Sequence, residues 1–95
     1  MGKQNNTSGD SKGEGMLEMQ NDGANFLILY NDEINSFDYI IDSLVEVCEH
    51  DSIQAEQCTY IAHHKGKCDV KRGTIAHLNP LRVELARRGI VTTID

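Results

Sequence analysis

The stretch NFLILYNDEINSFDYIIDSLVEVCEHDSIQAEQCTYIAHHKGK (Asn25–Lys67) decides the fold, because its apolar period changes from one segment to the next. NFLILY (Asn25–Tyr30) is an unbroken apolar run rich in β-formers, and the turn-forming Asn31-Asp32-Glu33 stops it at once. Such a run predicts a central strand. In SFDYIIDSLVEVCEH, Phe37, Ile40, Ile41, Leu44, Val47 and Cys48 recur at helical spacing. Ser36 or Asn35 can cap the first turn, where the negative charge of Asp38 suits a helix N-terminus. A second helix follows, capped by Asp51 or Ser52, with Ile53, Ala55, Cys58, Ile61 and Ala62 predicted on its inner stripe and Gly66 as its stop. The connection is only about three residues, so the two helices pack as neighbours.

Toward the C-terminus, KCDVK (Lys67–Lys71) alternates weakly and reads as a second strand between Gly66 and Gly73. Thr74 can cap a third helix bearing Ile75, Leu78, Leu81, Leu85 and Ala86, ended by Gly89. Pro80 lies too deep for the first turn, so it either kinks this helix or restarts it with Asn79 as the cap. IVTTI (Ile90–Ile94) closes the chain as a third strand. The order β-α-α-β-α-β predicts an α+β sandwich of two layers, a small three-stranded sheet packed on helices. Toward the N-terminus, residues 1–24 hold five of the eight glycines and no aromatic. That composition cannot offset backbone ordering and predicts a disordered N-terminal extension ahead of one core domain, residues 25–95. An inert extension is the plainer alternative.

A folded part this small excludes a multidomain enzyme and holds a net stability on the order of 3–5 kcal/mol. Two Phe, three Tyr and no Trp leave the core aliphatic. The net charge of −6 disfavours a nucleic-acid partner. From Asn31 to His64 there are eight acids and no Lys or Arg, whereas from Lys65 onward seven bases face three acids. The domain is therefore electrically bipolar, suited to an oriented partner, although solvated helix faces of opposite sign account for the same pattern. No apolar run approaches the roughly 20 residues of a membrane span. Cys48, Cys58 and Cys68 form an odd set without a close pair, which suits reduced, cytoplasmic surroundings.

No metal or cofactor is expected. His50, Cys58, His63, His64 and Cys68 lack the two close ligand pairs that zinc requires, and Cys48 and Cys58 fall on inner stripes as small core hydrophobes. No glycine loop suited to an oxyanion or a phosphate accompanies them, so no catalytic residue is assigned and the chain reads as a non-enzyme. The turn Asn31-Asp32 and His63 carry the other chemistry. An amide oxygen, a carboxylate and a neutral imidazole nitrogen are all acceptors, a set suited to an ammonium with three donors at the rim of an apolar pocket. On spacing alone, an ordinary turn and a helix-end histidine explain the same three residues. Asp32, in a solvent-facing turn, is expected to be removable without harm to the fold.

The run Leu29–Lys67 resembles the ClpS family, adaptors that deliver N-degron proteins to an AAA+ Clp unfoldase–protease. The matching pattern is a strand ending in Asn31-Asp32-Glu33, a helix, and a second helix with Ala55 early and His63 three residues before Gly66-Lys67. The resemblance implies that Asn31, Asp32 and His63 bind the α-amino group and first peptide bond of a degron. It implies a side-chain pocket walled by Asn35, Phe37, Ile40, Thr59, Ala62 and Ile90. Phe37 stands where the family usually has a methionine, and Thr59 replaces a larger apolar residue. The implied partners are a ClpA-like unfoldase, engaged in part by the tail 1–24, and N-degron substrates. No nucleic acid or membrane is expected, and the protein is expected to be a monomer. The alternative is a protein–protein interaction module of the same fold without degron recognition.

Overall fold

The computed structural model describes residues 25–95, and the extension expected over 1–24 lies outside the described residues. Its elements are β1 (Asn25–Tyr30), α1 (Phe37–Cys48), α2 (Ser52–Lys65), β2 (Lys67–Gly73), α3 (Ile75–Arg87) and β3 (Thr92–Ile94). Their order is the expected one. The sheet runs β2-β1-β3, entirely antiparallel, with Tyr30 opposite Lys67 and Leu29 opposite Thr92. A bulge between Leu27 and Ile28 makes the register skip Val70. The three helices pack on the sheet around an aliphatic core of Leu27, Leu29, Leu44, Leu78, Leu85 and Ile90, each at most 1% exposed.

Local chemistry sets the element ends. Ser36, Asp51 and Thr74 are the N-caps, and each side chain accepts from the backbone N–H three residues on, that of Tyr39, Gln54 or His77. Gly66 ends α2 at φ +96°, a left-handed conformation that a residue with a Cβ adopts only with strain. Gly89 does the same after α3 at φ +80°, and Ile90 N–H returns to the Leu85 carbonyl at 2.9 Å.

Several expected placements are corrected. Ile53 is 66% exposed and Ile61 also faces out, while Ala55, Cys58, Thr59 and Ala62 form the buried stripe of α2. Ile53 lies two residues from Ala55, about 200° round a helix, so the two cannot share a face. Small side chains let α2 approach the sheet closely. Ile75 and Ala86 are likewise exposed on α3. That helix runs unbroken through Pro80, and Asn79 is no cap, because its Oδ1 accepts from Arg82 Nε and Nη2 at 3.2 and 2.9 Å. Pro80 and Ala76 are both exposed, so the Ala76 carbonyl that proline leaves without a donor stays within reach of water.

The cysteines Cys48 and Cys58 are buried, and burial pushes their thiols up to about 11 and about 12. Among the described residues no group of three or more His, Cys, Asp or Glu could hold a metal ion, and no helix is long and apolar enough to cross a membrane.

Candidate functional site

The end of β1 and the end of α2 are tied together by one main-chain bond, from Asn31 N–H to the Gly66 carbonyl at 2.9 Å. Because α2 stops at Gly66, its last turn, which carries His63, stands beside the loop that begins at Asn31. Asp32 shapes that loop. Its Oδ1 accepts from the N–H of Ile34 at 2.7 Å and of Asn35 at 2.8 Å, and its Oδ2 accepts from Asn35 Nδ2 at 2.7 Å. This is an Asx turn feeding directly into the Ser36 cap of α1. Asp32 is half-buried rather than simply solvent-facing, which corrects its expected placement, and because it organises the loop its loss is now expected to cost stability.

Asn31, Asp32 and His63 line one small pocket together with Leu29, Tyr30, Phe37, Ile40, Thr59 and Ala62. Seven of the nine residues expected around a bound chain end are thus joined, the polar Asn31, Asp32 and His63 standing beside Phe37, Ile40, Thr59 and Ala62. Asn35 and Ile90 do not line it. The Asn35 amide is bound to Asp32 and, through Nδ2, to the Gly89 carbonyl at 3.0 Å, while Ile90 is only 1% exposed in the core. Leu29 and Tyr30 had no signal beyond their place just before Asn31. Thr59 donates its hydroxyl proton to the Ala55 carbonyl at 2.8 Å, which leaves the methyl-bearing wall apolar in character.

The acceptor capacity of the rim can be counted. A carboxylate offers about four lone-pair sites. Three are occupied at Asp32, two at Oδ1 and one at Oδ2, so Oδ2 has one left. Burial acts to raise the Asp32 pKa, but hydrogen bonds from Asn35 and Ile34 outweigh it and hold the carboxyl below the ordinary aspartate range. It is ionised at neutral pH. Asn31 donates through Nδ2 to Glu33 Oε2 at 2.9 Å, which turns its amide so that Oδ1 remains an acceptor. His63 meets the Phe37 ring edge to face, with centroids 5.1 Å apart, and the His64 ring at the same separation. With Phe37 in that position the cavity is about 10 Å³. That is room for about one water molecule.

Compared with known proteins, the chain is similar to the family whose model is described as ATP-dependent Clp protease adaptor protein ClpS, over residues 20–89, about three quarters of its length. A comparison with curated proteins gives no match.

Proposed function

The chain belongs to the ClpS family, adaptors of the ATP-dependent Clp protease rather than proteases themselves, and from that premise we propose that it binds the free N-terminal residue of substrate proteins and hands them to a ClpA-like AAA+ unfoldase. The observation that supports this reading is the convergence of Asn31, Asp32 and His63 on one pocket with an apolar wall. Three acceptors remain there, one at Asp32 Oδ2, one at Asn31 Oδ1 and one on a ring nitrogen of His63, and an α-ammonium brings three donors. Asp32 supplies the countercharge. A blocked or internal residue cannot fill these acceptors, and covering them while leaving them unpaired is what rejects it. The first side chain enters between Phe37, Ile40, Thr59 and Ala62. Ile40, Thr59 and Ala62 are at most 3% exposed, whereas Phe37 is 37% exposed, so Phe37 is the wall that swings aside to admit it.

Residues 1–24 form, in this proposal, a unit separate from the 25–95 domain that engages the unfoldase during transfer. The adaptor acts as a monomer in the cytoplasm, a reducing setting that suits three free thiols. The deciding experiment is a titration with labelled peptides that begin in free Leu, Phe, Tyr or Trp, against acetylated copies. Binding of the free forms only is expected, and equal or absent binding overturns the degron reading. One observation favours a second reading, a module of the same fold without degron recognition: a cavity of about 10 Å³ does not hold a leucine side chain unless Phe37 moves.

A further inference from the structure

We propose that the open depression between Ile34 and Val91 is a second subsite, which receives the side chain of the second residue of the bound chain end and prefers it apolar; the inference rests on the degron reading above. The residues Tyr30, Asn31 and Asp32 line both the narrow pocket and this depression of about 330 Å³, whose remaining walls are Glu33, Ile34, Gly89 and Val91. The two cavities share that ridge and diverge from it. A chain end anchored by its ammonium at Asp32 must leave across the same ridge, and its second Cα lies one step away, about 3.8 Å. In an extended peptide consecutive side chains point to opposite sides. When the first enters between α1 and α2, the second turns toward the loop that joins α3 to β3.

The walls there are built rather than incidental. Ile34 is 90% exposed and Val91 69% exposed, and neither belongs to the core that the fold buries. Each sits on a loop with fixed links. Ile34 N–H is held by Asp32 Oδ1 at 2.7 Å. The loop carrying Gly89 is fastened to α1 by Asn35 Nδ2 on the Gly89 carbonyl at 3.0 Å and by Tyr39 Oη donating to the Arg88 carbonyl at 2.8 Å. Two aliphatic side chains on restrained loops can receive an apolar group with little ordering cost. The charge is one-sided as well: the lining contains the carboxylates Asp32 and Glu33 and, among the described residues, no base. An acidic second residue is therefore repelled.

The test uses the full chain and three C-terminally labelled peptides that begin Leu-Leu, Leu-Gly and Leu-Asp and are otherwise identical. The native protein should bind Leu-Leu about five- to tenfold more tightly than Leu-Gly, and Leu-Asp more weakly than either. In the double variant Ile34→Ser, Val91→Ser the Leu-Leu to Leu-Gly ratio should shrink to within about twofold. A general loss of structure would weaken both peptides alike and leave that ratio unchanged. An unchanged ratio in a variant whose circular dichroism matches the native protein overturns the subsite, as does equal binding of Leu-Leu and Leu-Gly by the native chain. If none of the three peptides binds the native chain, the degron reading itself fails and takes the subsite with it.

Discussion

Replacing Asp32 by asparagine should separate the charge at the rim from the geometry of the loop that carries it. The asparagine Oδ1 still accepts from Ile34 and Asn35 N–H, the bonds of 2.7 and 2.8 Å that make the turn. Its Nδ2 replaces Oδ2 and faces Asn35 Nδ2, donor against donor, so one bond is lost, at about 1–2 kcal/mol of stability. Alanine removes all three bonds and costs about 2–4 kcal/mol, comparable to the whole stability expected of a domain this small. It would lose binding by unfolding, which makes it a poor probe. For the ligand, Asp32→Asn removes the countercharge and the one free acceptor site, a charge-assisted bond of about 1.5–3 kcal/mol, and affinity should fall roughly tenfold to more than a hundredfold. Asn35→Ala is the control, since it breaks the bonds to Asp32 Oδ2 and Gly89 but keeps the charge. Fluorescence anisotropy with a Leu-initiated peptide, its acetylated copy and parallel thermal melts reads both quantities. Binding by Asp32→Asn within twofold of the native protein refutes the reasoning, and so does an equal loss of affinity in Asn35→Ala.

His63→Ala removes one of the three acceptors at the rim, and affinity for a Leu-initiated peptide, read by anisotropy, should fall about fivefold or more. Fold stability should show an acid limb. The Asp32 carboxyl is held below its unfolded pKa, so its contribution is complete above about pH 4 and lost as pH falls through the folded value. Denaturant melts from pH 5 to pH 2 should decline less steeply in Asp32→Asn. Phe37→Ala should enlarge the cavity and tighten binding of peptides that begin in Phe or Trp, and a loss of affinity would show that the ring is part of the wall rather than its gate. A chain beginning at Asn25 should bind Leu-initiated peptide like the full protein yet fail to accelerate degradation by a Clp unfoldase–protease, as followed by gel assay.

The element order was legible because its punctuation is local. Ser36, Asp51 and Thr74 cap with their own side chains, and Gly66 and Gly89 stop helices by a conformation that few other residues adopt. The inward face of α2 was legible only in part: Ala55, Cys58 and Ala62 are buried as expected, but Ile53 and Ile61 are not, and Thr59 is. A hydrophobicity reading favours Ile53 and Ile61 over Thr59, yet what decides is how closely a helix can approach the sheet, a property of side-chain size seen only once the layers are assembled. Pro80 misled for a similar reason: its cost depends on whether the carbonyl four residues back can meet water, and Ala76 is exposed. At the site, spacing alone left Asn31, Asp32 and His63 as an ordinary turn and helix end, and only the family resemblance joined them. Asn35 and Ile90 could not be sorted by sequence. A wall residue and one that braces the wall from behind look alike until hydrogen bonds such as Asn35 to Gly89 are seen.

The site also depends on a residue that touches no ligand. His63 comes from α2 and Asp32 from the loop after β1, thirty-one positions apart, and they meet because α2 ends where Asn31 N–H can reach the Gly66 carbonyl. That ending requires φ +96° at Gly66, where an added Cβ would meet nothing within 4 Å. Space is therefore not what demands glycine; the backbone conformation is. A residue with a Cβ there costs about 1–2 kcal/mol in the left-handed region, and the strain is relieved by letting the helix end unwind. Unwinding moves the last turn, with His63 three residues upstream, away from Asn31 and Asp32. The stop signal of a helix and the assembly of an ammonium-binding rim are in this fold the same physical event.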